Sequence, residues 1–224
     1  MIRTSRQTTH SAHDLETAFG RFEPLRIRYA SNELICQSGS YAAGVYLMTT
    51  GIVLETYAGG TREAAPLVTG LLCTGDLIGI EPLSDGENML HQTSCRALSS
   101  VSLSFLERGA FNAALEVDPG LRQYLTAYLA DRSHRLVRAL WRTRLAADER
   151  LRDVFLHLAP LASGDGASIR LPRELDLRLI ADLAGVPLRR ARQACTALHG
   201  VEWTDEGFRL SLAKLSDPRA VGRG

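Results

Sequence analysis

The sequence has no long hydrophobic run. Of 224 residues, 45% are apolar, yet no stretch approaches the roughly 20 consecutive apolar residues of a membrane-spanning helix. With mean hydropathy near zero, no membrane partner is expected and the composition fits a soluble globular protein. The polar start MIRTSRQTTHSAHD lacks the apolar core of a secretory signal, so the expected location is the cytoplasm. Cysteine is scarce as well. Cys36, Cys73, Cys95 and Cys195 lie far apart with no CxxC pair, a spacing that argues against a zinc module or a disulfide framework. Each reads as a reduced small apolar residue in a packed face. His91 is the single histidine between residues 25 and 106, too few for the His and carboxylate cluster that a metal enzyme on a β-barrel needs, so neither a metal site nor an enzyme is expected. The net charge of +1 points to no polyanion by itself, but arginine clusters at 132–152 and 189–192.

What is present changes character along the chain. Residues 1–24 read as an N-terminal extension running into a short helix near Leu15 and Phe19. Residues 25–117 carry β-rich runs separated by Gly39, Gly51, Gly70 and Gly75, among them the alternation of Val101 to Phe105 with serine, a half-buried strand signature. Several short strands at that spacing predict an antiparallel barrel or sandwich. Residues 118–145 hold a long helix, unbroken by Pro or Gly from Leu121 to Arg144, with a stripe through Leu125, Leu129, Arg132, Leu136 and Leu140. That stripe suits either the chain's own barrel or a parallel partner helix, and Arg132 within it needs a partner of its own.

Residues 146–224 hold a helix from Asp148 to Leu161, a short strand at Ile169 to Leu171, and then the densest signal in the chain, DLRLIADLAGVPLRRARQACTAL at 176 to 198. Its first half presents Leu179, Ile180 and Leu183 at helical spacing behind Asp176 as N-cap. Gly185 supplies a turn, and Pro187 suits the start of a second helix near Leu188. On that helix Ala191, Ala194, Cys195 and Leu198 share one face, while Arg189, Arg192, Gln193 and Thr196 share the other, with no acid between Gly185 and Val201. VEW, TDEG and FRLSL then predict a β-hairpin, so the segment reads as a winged helix-turn-helix.

The order of barrel, long helix and winged helix-turn-helix resembles the CRP/FNR superfamily of bacterial transcription factors, the cyclic-AMP receptor and fumarate-nitrate reduction regulators. The resemblance runs from about Leu25 to Leu215. It is carried by GVYLMTTGIVLETY at 44 to 57, TGDLIG at 74 to 79, CRAL at 95 to 98, ERLRDVFLHLA at 149 to 159 and LIADLAGV at 179 to 186. It implies an α+β chain: a cyclic-nucleotide-binding-like jelly roll that senses an effector, a dimerisation helix, and a winged helix-turn-helix reading pseudo-palindromic double-stranded DNA. It also implies a homodimer and RNA polymerase as a partner.

The effector residues depart from that pattern. Members that bind cyclic AMP place a ribose-holding Glu after PGDxxG and an Arg-Ser or Arg-Thr pair on the phosphate. Here those places read Ile80, with Glu81 one position out of register, and His91-Gln92. The Thr-Ser pair of the long helix becomes about Arg135-Leu136. A buried cyclic phosphate needs a cation and oriented donors, so a small molecule other than cyclic AMP is the expected effector of a pocket including Ile80, Glu81, His91, Gln92 and Arg135. No cysteine cluster precedes Cys36, which argues against an iron–sulfur cluster. An alternative keeps the fold and changes the switch, with haem ligated by His91 or oxidation of Cys195. In the reading helix, Arg189, Arg192 and Gln193 are the expected base readers, Arg190 a phosphate contact, and Arg173 and Thr196 further phosphate candidates.

Overall fold

A computed structural model describes residues 15–59, 66–80, 89–164 and 168–217. The chain divides into two compact units, Met1–His134 and Arg135–Gly224.

Among the described residues of the first unit, eight antiparallel strands form two sheets: β1 (Leu25–Tyr29), β2 (Leu34–Cys36), β3 (Gly44–Thr50), β4 (Val53–Tyr57), β5 (Leu67–Leu72), β6 (Leu77–Ile78), β7 (Ser94–Ala97) and β8 (Val101–Glu107). The orders β1-β8-β3-β6 and β2-β7-β4-β5 are those of a jelly roll. Strand β3 shows why its sequence is almost continuously apolar. Met48 enters a core shared by both sheets, with Ile35, Val53, Leu72, Cys95 and Leu103. Val45 and Leu47 turn to the opposite face, where a second core holds Phe111, Leu121 and Tyr128. A strand covered on both faces has no polar side to show. The same holds for β8, where a half-buried strand is expected. Ser104 is 1% exposed and Leu106 3%, because helices cover the face that the serines occupy.

Those helices are α1 (15–20), α2 (Arg108–Val117) and the start of α3 (Pro119–Arg142). The short N-terminal helix is a docked element. Leu15 and Phe19 are buried at 1% and 0%, and Phe19 meets Phe111 with ring centroids 5.9 Å apart. Helix α3 starts at Pro119, where the Asp118 carboxylate accepts the Leu121 N–H at 3.1 Å, satisfying one of the open donors of the first turn.

The second unit contains the end of α3, α4 (Ala147–Leu158), a 3₁₀ turn (Ala159–Leu161), β9 (Ile169–Arg170), α5 (Leu177–Ala184), α6 (Leu188–Ala197), β10 (Val201–Thr204), β11 (Gly207–Leu210) and α7 (Leu212–Leu215). Its three-stranded sheet has the order β10-β11-β9, and Leu151, Phe155, Ile180, Ala191, Phe208 and Leu215 fill the core. The Asp153 carboxylate on α4 accepts from Arg138 at 2.6 Å and Arg142 at 2.8 Å, and Arg142 also donates to the Leu183 carbonyl at 3.3 Å. One half-buried acid thus ties the end of α3 to α4, and Arg142 carries the tie to the end of α5. Burial pushes the Asp153 carboxyl up, but the hydrogen bonds and charges of the two arginines outweigh it and hold it below the usual carboxylate range. Among the described residues no helix is long and apolar enough to cross a membrane.

Candidate nucleic-acid interface and effector site

Local chemistry builds the reading head. The Asp176 carboxylate accepts the Leu179 N–H at 2.8 Å and starts α5. Gly185 ends it at φ 61°, a left-handed conformation that a side chain would strain. The Val186 N–H donates to the Ala181 carbonyl at 3.0 Å, and α6 begins directly after Pro187. Ala191, Ala194, Cys195 and Leu198 are buried. Arg189, Arg190, Arg192, Gln193 and Thr196 are exposed on the other side, and Arg173 is exposed in the loop before α5.

The arginines differ in how they are held. Arg190 pairs with Asp148 of α4 at 3.3 Å. The Arg192 guanidinium lies 5.7 Å from the ring centroid of Trp203 on β10, and Trp203 stacks on Phe208 at 6.1 Å. The wing therefore steadies a side chain of the reading helix, a contact between residues 11 positions apart that helical periodicity does not reveal. Thr196 turns its hydroxyl back onto the Gln193 carbonyl at 2.7 Å.

In the first unit the structure separates the residues that the sequence groups as an effector pocket. Ile80 is 6% exposed within the apolar core beside Phe111 and Tyr128. Glu81 lies outside the described residues. His91 is 5% exposed, whereas Gln92 is exposed and its carbonyl accepts from Ser38 at 3.1 Å. Both precede β7, His91 turned inward and Gln92 toward solvent. Arg135 falls in the second unit. It is Arg132, a turn earlier, that reaches the barrel and donates to Glu55 Oε1 at 2.7 Å.

Glu55 is the residue that the sequence reading passes over. Only 5% exposed, it accepts from Arg132, from the Thr93 hydroxyl at 3.3 Å and, through its other oxygen, from the Thr69 hydroxyl at 3.0 Å. Arg132 also donates to the Tyr128 hydroxyl at 3.4 Å. The signal was an acid two positions from buried Val53, on the inward phase of β4. The cation of this cluster is already met by a carboxylate. A cyclic phosphate placed beside Glu55 would be repelled, so the residues do not fit that ligand.

The stripe of α3 likewise divides. Leu125, expected in a dimer seam, packs on the barrel-side core with Leu121 and Tyr128, and Arg132 is spent on Glu55. Leu129, Leu136 and Leu140 are 48%, 51% and 71% exposed, joined by Val137 and Trp141. As for a switch at Cys195, its thiol is 2% exposed and burial pushes it up to about 11, which keeps it protonated and inert. The His91 ring hydrogen-bonds the Cys36 thiol, and its Cε1 would stand 3.1 Å from a β-carbon at Gly79. A haem at His91 would have to displace those neighbours. Among the described residues no three His, Cys, Asp or Glu side chains could hold a metal ion.

Neither a family model nor a curated protein matches the sequence. Solved structures do match in shape. FixK2 from Bradyrhizobium japonicum aligns at a TM-score of 0.71 and 19% identity, over 84% of this chain and 92% of its own. The c-di-GMP responsive global regulator CLP from Xanthomonas campestris aligns at 0.73 and 18%, over 88% and 99%. TTHA1359 from Thermus thermophilus, a transcriptional regulator of the CRP/FNR family, aligns at 0.70 and 19%, over 89% and 100%. Jelly roll, long helix and winged helix-turn-helix follow one another in the order that the sequence motifs predict, and the chain has the fold of the CRP/FNR regulators.

Proposed function

We propose that the chain is a homodimeric, sequence-specific DNA-binding transcription regulator of the CRP/FNR type, acting in the cytoplasm with RNA polymerase as a partner. The observation that carries this reading is the acid-free outer face of α6, with Arg189, Arg192 and Gln193 exposed over a buried seam of alanines and Cys195. Arg189 and Arg192 present forks for guanine O6 and N7, and Gln193 an amide for adenine. In this reading Arg190, Arg173 and Thr196, all exposed, are the phosphate contacts. The exposed row Leu129, Leu136, Val137, Leu140 and Trp141 suits the same row of a second copy, which would space two reading heads about one DNA turn, ~34 Å, apart.

The barrel transmits a signal other than cyclic AMP. Support comes from the Glu55–Arg132 pair, which joins β4 to the helix that leads into the second unit, so a ligand that competes for either charge acts on α3 directly.

The test is in-vitro selection of duplexes by the purified chain, with sedimentation to establish its mass. The expected result is a dimer that enriches a two-fold symmetric site and whose affinity falls steeply with salt. An intact dimer that enriches no sequence overturns the reading.

A further inference from the structure

We propose that Cys36 and Cys95 are a peroxide-oxidisable dithiol that closes into a reversible cross-strand disulfide inside the jelly roll. Scattered in sequence, the two residues are register partners across the antiparallel pair β2 and β7. Opposed residues of such a pair stand about 4.5–5.5 Å apart at Cα, inside the roughly 4.4–6.8 Å that a disulfide spans. A register shift between Leu34 and Cys36 turns both Ile35 and Cys36 inward, at 8% exposure each, toward Cys95 at 0%. The thiols therefore share one apolar cluster, with Val53, Ala97 and Leu103. Strand β2 is a three-residue edge strand, so its local opening admits a small oxidant without disturbing the rest of the sheet.

The groups around Cys36 suit a nucleophile. Its side chain hydrogen-bonds those of Cys95 and His91, and its sulfur lies 3.9 Å from the Thr93 carbonyl. Hydrogen bonding from Cys95 first, and then from His91, pulls the Cys36 thiol down to about 6 against the upward push of burial. Tyr29 and Tyr46 also face it, both raised by burial first, with the Cys36 charge adding to the effect.

The chemistry closes without a further reagent. The Cys36 thiolate attacks one peroxide oxygen and the O–O bond breaks. The leaving alkoxide or hydroxide takes a proton, for which the His91 ring beside the Cys36 sulfur is the adjacent donor, and Cys36 is left as a sulfenic acid. Cys95 sulfur then attacks Cys36 sulfur; the S–S bond forms, the S–O bond breaks, and the departing hydroxide takes the Cys95 proton to leave as water. Two thiols are oxidised and one peroxide is reduced, and a dithiol reductant reverses the bond. This chemistry is independent of whether the chain binds DNA.

The test treats the full chain with stoichiometric hydrogen peroxide, alkylates under denaturing conditions and maps peptides. The expected result is a linked peptide pair containing Cys36 and Cys95, released by dithiothreitol, with Cys73 and Cys195 still alkylated. Cys36→Ser and Cys95→Ser should each abolish the link, and His91→Gln should slow its formation about tenfold. Because the linked pair is read on the unaltered chain, misfolding of a variant leaves the test intact. Four alkylatable thiols after treatment, a bond to Cys73 or Cys195, or oxidation of Cys36 to the sulfinic acid without linkage overturns the proposal.

Discussion

The outer face of α6 and the interior side of the barrel both depend on arginine, and they use it in opposite ways. Helix α6 carries no acid along its whole length, and Arg189 and Arg192 stay in solvent, where a guanidinium keeps its charge for an incoming anion. In the barrel Arg132 is spent on Glu55, with side-chain exposures of 17% and 6%. The first arrangement is an open half of a contact. The second is a contact already completed within the chain, 77 residues apart in sequence. A surface that must recognise something else leaves its charges uncompensated; a helix that must be held against a barrel does not.

Breaking the completed contact should give the largest effect. Arg132→Met leaves a buried carboxylate without its cation, and such a loss costs about 3–5 kcal/mol. Adding Glu55→Gln removes the stranded charge and should recover most of that stability, because a buried ion pair replaced as a unit is close to neutral. Trp141 and Trp203 both lie in the second unit, so the first unit is better followed by hydrogen exchange in β4 and β7. Equal destabilisation by the single and the double variant would show that Arg132 acts through packing alone.

A second acid sharpens the contrast because it is only half-buried. Asp153 accepts two charged hydrogen bonds, from Arg138 at 45% exposure and Arg142 at 10%. Allowing for screening at the exposed partner, Asp153→Asn should destabilise the second unit by about 1–2 kcal/mol at neutral pH. The folded carboxyl titrates below its ordinary value, so the folded state binds fewer protons than the unfolded one. Its contribution is complete above the ordinary carboxylate pKa of about 3.9 and is lost as pH falls through the lower folded value. Urea unfolding followed by tryptophan fluorescence should show wild type and Asp153→Asn converging as the pH drops below about 4.

On the open face, residues two positions or fewer apart should separate by kind of effect. Arg189→Ala should cost about 1–3 kcal/mol on the selected site and little on others, relaxing specificity. Arg190→Ala should weaken all duplexes alike and reduce the salt slope by about one. Its pairing with Asp148 makes the loss smaller than for a free cation. Titrations of matched and scrambled duplexes at several salt concentrations distinguish the two.

The same contrast explains what the sequence discloses. The reading head is legible because its determinants are local: the Asp176 cap, the Gly185 turn, and a seam of Ala191, Ala194 and Cys195 at helical spacing all lie within one 23-residue stretch. The strand runs and the length of α3 are legible for the same reason. The barrel cluster is not, because Glu55, Thr69, Thr93 and Arg132 come from separate elements and meet only once the sheets have formed. Motif alignment selects Ile80 and Gln92, but it cannot show that one enters an apolar core and the other faces solvent. Periodicity finds the α3 stripe without revealing that Leu125 is covered by its own barrel while Leu140 is not.

The smallest expected effect tests whether the open face is as unconstrained as it looks. Trp203 is 43% exposed, large and apolar, and it holds Arg192 by a cation–π contact worth about 0.5–1 kcal/mol at such a site. If that contact orients the guanidinium for a base, Trp203→Leu should weaken the selected site by about that amount while leaving scrambled duplexes unchanged. Trp203→Phe, which keeps an aromatic face, should retain most of the difference. Once Arg192 is alanine, Trp203→Leu should have no further effect on affinity, since there is then no guanidinium to position. Equal losses with and without Arg192 would instead mean that Trp203 touches DNA itself, and the wing would then be a reading element in its own right.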